Sequence, residues 1–274
     1  MKIAFISPTS LIEDFHGDFH LALSHLIGGS FYKNKYVRTL LKVKKPILLD
    51  NGLFENGKPE GVKTLFKKAR MLGAHTVFCP DTLYNRKKTE EAFKKIAKDH
   101  NTSDFQLGFV VQADNPKDYV EGYQWAVEQP EIALIGLSIL AIPHSFKSVT
   151  GTDDIVTNRL ECLRQLNMLP KHKKSHLLGA GSSYKDIEFA IKFCPWVVSH
   201  DSSSAVWNGI QRKMIDPISL EVEGGKSKIP VDFNFDEPLD NQQIRIIQRN
   251  IRTIKKLRKP EYEFTKEELK GIEI

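Results

Sequence analysis

Three aspartates, one glutamine and a glycine pair stand at the ends of short apolar runs in this sequence. Asp50 opens Asp50-Asn51-Gly52, Asp81 follows Cys79-Pro80, Gln112 closes the run 106–112, Gly179-Ala180-Gly181 ends another, and Asp201 follows His200. Two carboxylates beside a glycosidic carbon can split a displacement into two steps, one attacking the carbon while the other manages protons. The remaining aspartate and the glutamine suit the edge of a purine: a carboxylate accepts hydrogen bonds from a ring N–H and an exocyclic amine, and an amide pairs with a carbonyl. Phe54 can stack on such a ring and Leu178 can press its other face, while glycines let a base approach the backbone. Any one aspartate here reads equally well as a cap on the helix that follows. Three of them together with Gln112 make a site the better reading.

The elements that must position these residues alternate. Runs at 2–6, 46–50, 75–79, 106–112, 132–138, 175–179 and 196–200 are continuously apolar rather than alternating, as in parallel strands buried on both faces. Helical patterns fall between them, at about 61–73, 86–99, 115–129, 153–168 and 184–194, with Asn115-Pro116 and Ser183 as start signals. The order predicts an α/β fold, a closed (β/α)8 TIM-like barrel with its eighth strand somewhere in 210–235. In that architecture chemistry sits at the C-terminal ends of the strands, where the polar residues lie. The open doubly wound sheet lacks its GxGxxG. The stretch 223–238 reads as an irregular insertion. The stretch 239–258 reads as a closing helix with Ile244, Ile247, Ile251 and Ile254 on one face. Arg245, Arg249 and Arg252 lie off that face and are candidate nucleic-acid contacts. Residues 1–259 read as one catalytic domain and 260–274 as a charged tail.

Composition narrows the classes. The 274 residues carry a net charge of +6, compatible with a polyanionic partner and equally with a solvated lysine-rich surface. No apolar run reaches the roughly 18–20 residues of a membrane span, and no signal peptide is read at the N-terminus. The three cysteines, Cys79, Cys162 and Cys194, are scattered; this fits a reducing cytoplasm and gives no cysteine zinc cluster. His16 and His20 have the i, i+4 spacing of a metal pair but no third ligand, so structural roles are preferred. His144 is placed in a loop at 143–152, and His200 on the strand face opposite Asp201. Trp125 and Trp196 read as core, and Trp207 as a candidate base-stacking wedge. No cofactor and no metal are expected.

Taken in order, these motifs make the chain resemble the tRNA-guanine transglycosylases, and most closely their short phage-type relatives that act on DNA. The resemblance runs from about Asp50 to Gly209. Asp50-Asn51-Gly52-Leu53-Phe54 resembles the family's D-S-G-G-F, which implies Asp50 as the proton-managing carboxylate and Phe54 as the stacking aromatic. Asp81 resembles the base-reading aspartate. Gly108-Phe109-Val110-Val111-Gln112 resembles G-I-V-Q-G-G and gives Gln112 a base-reading role. Ser138-Ile139-Leu140-Ala141 stands where the family has G-G-L-A. Leu177-Leu178-Gly179-Ala180-Gly181 is similar to L-M-G-V-G. Asp201 stands at the nucleophile's place, and Asn208-Gly209 echoes the family's N-G. The resemblance thus implies substrate contacts at Asp81, Gln112, Phe54, Ser138, Leu140, Ala141, Leu178, Gly179 and Gly181.

The chain also departs from the family. It lacks the zinc-binding cysteines, and Ser202-Ser203-Ser204 replaces the arginine-bearing P-T-R-x-x-R, so no zinc subdomain is expected and tRNA-loop contacts do not carry over. These changes favour DNA. The implied reaction replaces guanine in DNA with a 7-deazaguanine (preQ0-like) base through a covalent aspartyl-glycosyl intermediate. The partners are DNA and the free base, with a homodimer left open. The rival readings are a tRNA enzyme, a non-catalytic nucleic-acid-binding relative, and a barrel enzyme whose Gly179-Ala180-Gly181 cradles the phosphate of a small molecule.

Overall fold

The computed structural model describes residues 1–29, 33–100, 102–225 and 227–257. The expected tail, 260–274, lies outside them. Eight parallel strands form one sheet: β1 (Lys2–Phe5), β2 (His20–Ala22), β3 (Ile47–Leu49), β4 (Thr76–Phe78), β5 (Gln106–Val110), β6 (Ile132–Ser138), β7 (Ser175–Leu178) and β8 (Val197–Ser202). Each pairs with its sequence neighbour from β2 to β8, and β8 returns to β1, giving an α/β, TIM-like barrel. The eighth strand is therefore His20–Ala22 and not a segment of 210–235. Three residues are too few to show a period, and His20 carries no β signal. Within 210–235 the only bridges among the described residues are isolated and antiparallel, Ile215 with Val222 and Ser183 with Glu221.

The barrel closes differently at its two joins. β1 and β8 share a four-residue parallel register. β1 and β2 are latched instead through Asp18: its N–H donates to the Ile3 carbonyl at 2.7 Å and its Oδ2 accepts from the Ile3 N–H at 2.8 Å. The chain runs so close here that a Cβ on Gly17 would sit 2.0 Å from the Ile3 carbonyl oxygen. Only glycine fits.

Ten helices occupy the described residues: α1 (Lys35–Val43), α2 (Leu53–Asn56), α3 (Val62–Leu72), α4 (Arg86–Asp99), α5 (Pro116–Glu128), α6 (Ala141–Thr150), α7 (Ile155–Asn167), α8 (Lys185–Phe193), α9 (Ser204–Ile210) and α10 (Asn241–Lys256). The start of α5 follows its signal: Pro116 takes the first turn and the Asn115 side chain accepts from Asp118 N. The expected loop at 143–152 is instead α6. It begins on residues capped by Ser138, carries Pro143 in its first turn where a missing N–H costs nothing, and stops at Gly151 in the left-handed region. His144 is thus helical; its Nε2 lies 2.7 Å from Asp114 and its ring stacks on Tyr84.

The core has two layers. The larger lies between strands and helices, and Cys79, Cys162 and Cys194 are buried in it. The smaller fills the barrel with Ala4, Phe19, Leu21, Leu23, Leu48, Phe78 and Val110, the stacked interior expected of the architecture. α10 seats Ile247 and Ile254 inward and leaves Arg245, Arg249 and Arg252 exposed. No helix among the described residues is long and apolar enough to cross a membrane.

Candidate active site

One cavity of about 710 Å³ opens at the C-terminal ends of the strands, lined by Asp50, Asp81, Gln112 and Asp201 together. Four different strands deliver them: Asp50 follows β3, Asp81 follows β4, Gln112 follows β5, and Asp201 lies in β8. Burial on both faces of a parallel strand leaves its C-terminal end as the place where a polar side chain can meet a ligand.

The capping alternative can be decided residue by residue. Asp50 does serve its own turn, since its Oδ2 accepts from Gly52 N at 2.8 Å. Asn51 caps the start of α2 through Leu53 N and turns its amide across to Cys79 O and Asp81 Oδ1. Ser138 lines the cavity and also starts α6, accepting from Leu140 N and, more weakly, Ala141 N. Asp81 and Asp201 cap no helix. Asp81 reaches sideways to two amides, Asn51 Nδ2 at 2.7 Å and Gln112 Nε2 at 2.5 Å. Gln112 is held in turn by Tyr84 N on its Oε1. Asp201 meets His176 Nε2 at 2.8 Å and Gly179 N at 3.2 Å from both its oxygens.

Burial sets three acids of the cavity apart from ordinary surface acids. Burial raises Asp50 to about 6, opposed by the Gly52 N–H and assisted by the negative charge of Asp201. Burial raises Asp81 to about 7 against the donations of Gln112 and Asn51. A further acid, Glu55 of α2, also lines the cavity and is pushed to about 7 by burial and then by Asp50. Its neighbour His25, 3.7 Å away, is lowered by burial and by Lys68. Lys228 is the one lysine or arginine of the lining among the described residues. Groups poised near neutrality by desolvation and like charge are the signature of sites that move protons.

Phe54, Leu140, Leu178 and Gly179 also line the cavity, Phe54 at its lip with 60 % of its surface exposed. Trp207 lines the wall too, but its ring is buried and its Nε1 donates to Ile229 O. It braces the segment 227–233 across the mouth rather than presenting a wedge. Ala141 is buried in α6 behind the site, and a Cβ on Gly181 would face Ile155 and Val156 of α7. Neither lines the cavity. Arg245, Arg249 and Arg252 lie on the outer face of α10, away from the lining. His20 belongs to β2 and not to a helix, and among the described residues no three His, Cys, Asp or Glu side chains gather as a metal cluster. Compared with protein-family models and with curated proteins, the chain matches none.

Asn51, Glu55, His25, His176 and Lys228 belong to the site and were not singled out from sequence. For His176 a signal existed. Side chains two apart on a strand share a face, so Leu178 in the cavity places His176 inside the barrel, just as Asp201 places Ser199.

Proposed function

We propose that this chain is a base-exchange transglycosylase that replaces guanine in DNA with a 7-deazaguanine base. The observation that carries this reading is the pairing, in one cavity, of two separately built carboxylate sites. Asp201 is tied to an imidazole and a backbone N–H, and Asp81 to an amide pair, with Asp50 lining the same cavity. Asp201 attacks C1′ of the target nucleotide, the C1′–N9 bond breaks, and the departing guanine takes the proton held by Asp50. The incoming 7-deazaguanine then gives its N9 proton to Asp50 and attacks C1′, which releases Asp201. An acid held near 6 can give and take that proton close to neutral pH. Asp81 accepts from the Watson–Crick donors of the base, with Gln112 beside it. Phe54 is the exposed aromatic at the lip for a base that has left its stack.

The acidity of the lining speaks against the phosphorylated small molecule. Four carboxylates face one lysine, and the Gly179 N–H that would hold a phosphate is occupied by Asp201. The test is incubation with guanine-containing DNA, the matching RNA and a panel of 7-deazaguanine bases, followed by digestion to nucleosides and mass spectrometry. A 7-deazaguanine nucleoside appearing in DNA, dependent on Asp201, supports the reading. Exchange in RNA alone would reassign the substrate, and no exchange in either would remove the function.

A further inference from the structure

Directly behind Asp201 lies a chain of polar groups that the exchange chemistry above does not use. His176 is fully buried, and its Nε2 lies 2.8 Å from Asp201 Oδ1. Its Nδ1 lies 2.9 Å from Ser199 Oγ. The rings of Phe19 and Phe78 stand against it, each with centroids 5.9 Å away. A serine, a histidine and an aspartate in line suggest a hydrolase triad, but the order relative to the cavity is inverted. Asp201 faces the cavity, and Ser199 is outside the lining. A triad's nucleophile must be at the ligand end. Here the ligand end is the carboxylate.

We propose that His176 is the positioning residue of this site: its Nε2–H fixes Asp201 Oδ1, leaving Oδ2 as the oxygen that attacks the sugar carbon. This rests on the transglycosylase reading for the identity of that carbon. A carboxylate oxygen only accepts, so the ring nitrogen facing it carries the proton. A charge-assisted bond in a dry interior is short and directional. Among the described residues, the hydrogen bond to Oδ2 is the 3.2 Å contact from Gly179 N. Gly179 itself is anchored from behind: its carbonyl accepts from Arg159 Nη1 at 2.7 Å, and Arg159 pairs with Asp186, both fully buried. The nucleophile is thus held from β7 on both sides. His176 supplies an N–H from inside the barrel and Gly179 supplies one from the turn after it. A neutral side chain without an N–H at position 176 frees the carboxylate to rotate, and losing about 1 Å of alignment costs on the order of 100-fold in rate.

The experiment uses the full chain. With 15N-labelled histidine, the His176 ring, assigned by its loss in His176→Gln, carries its proton on Nε2, and Asp201→Ala shifts that resonance. A ring unprotonated at Nε2 overturns the proposal whether or not the protein exchanges bases. In the exchange assay, His176→Phe lowers kcat about 100-fold while the KM for the free base stays within about threefold. His176→Gln, whose Nε2 reaches the same point, recovers to within about tenfold of the parent. Parental kcat in His176→Phe, or a glutamine variant no better than phenylalanine, overturns it. If the parent exchanges no base, the functional reading fails and the ring measurement alone decides. If His176→Phe does not fold, the glutamine variant and the ring measurement decide.

Discussion

Asp81 and Asp201 occupy opposite parts of one cavity wall at nearly equal burial, 4 % and 3 % exposed, yet they are partnered in different ways. Asp81, on the β4–β5 side, is held by two side-chain amides. Amides are neutral, and both donate, so the carboxyl keeps acceptor lone pairs in its own plane for a flat ligand edge. Asp201, on the β7–β8 side, is held by an imidazole and one backbone N–H. That arrangement fixes orientation and leaves one oxygen lightly bonded. Burial alone therefore does not assign a role to an acid; the kind of donor around it does.

The comparison breaks most sharply on turnover. Asp201→Ala is expected to reduce exchange by about four orders of magnitude or more, as losses of a covalent nucleophile do, while calorimetry still registers binding of the free base. Asp81→Ala is expected to do the converse. It loses about 1–3 kcal/mol of base affinity, read as a KM for the incoming 7-deazaguanine raised about 5- to 150-fold, with retained folding and DNA binding. If Asp81→Ala binds the base as tightly as the parent and Asp201→Ala does not, the two roles are interchanged.

A subtler difference lies in pH. The folded-state pKa of Asp81 is raised to about 7 by burial, so between about pH 4 and 7 the native chain holds a proton that the unfolded chain has released. Stability from this group is present below about pH 4 and is lost as pH rises through 7. Relative to the parent, Asp81→Asn should gain on the order of 1–4 kcal/mol across that window, measured by denaturant unfolding at pH 4.5 and 8. The depressed His20 works in the opposite direction but is common to both chains and cancels in the difference. A constant gap between the two proteins would mean that Asp81 is not held protonated by its surroundings.

The smallest expected effect tests the outer basic face against the cavity mouth. Removing the charges of Arg245, Arg249 and Arg252 should flatten the salt dependence of DNA binding by about one counterion each. An unchanged slope would leave Lys228 and the mouth as the phosphate-bearing side.

Sequence reading found the barrel because seven of its strands are apolar runs with helices of ordinary length between them. It found Asp50, Asp81, Gln112 and Asp201 because strand ends in a barrel share one mouth. What it missed has physical reasons. β2 is three residues long and is held by a side-chain latch rather than by a run of β-formers. α2 is a single turn started by Gly52 in the left-handed region, too short to show a helical period, so nothing in the sequence singled out Glu55. His176 reaches Asp201 from a neighbouring strand, 25 positions away. Ala141 and Gly181 were placed by motif likeness alone, and each faces a helix rather than the cavity.

The latch at Asp18 gives the wall of the barrel a grain. Seven of its joins are ladders of backbone hydrogen bonds, and the eighth depends on one residue bonded twice to Ile3. Ladders unzip residue by residue, whereas a latch releases at once, so the amide protons of Ile3 and Asp18 should trade with deuterium well before those of β5 to β8. β2 carries Leu21, and with it one side of the cavity. Each such release would slacken that side first, and with it Phe19, one of the two rings that stand against His176.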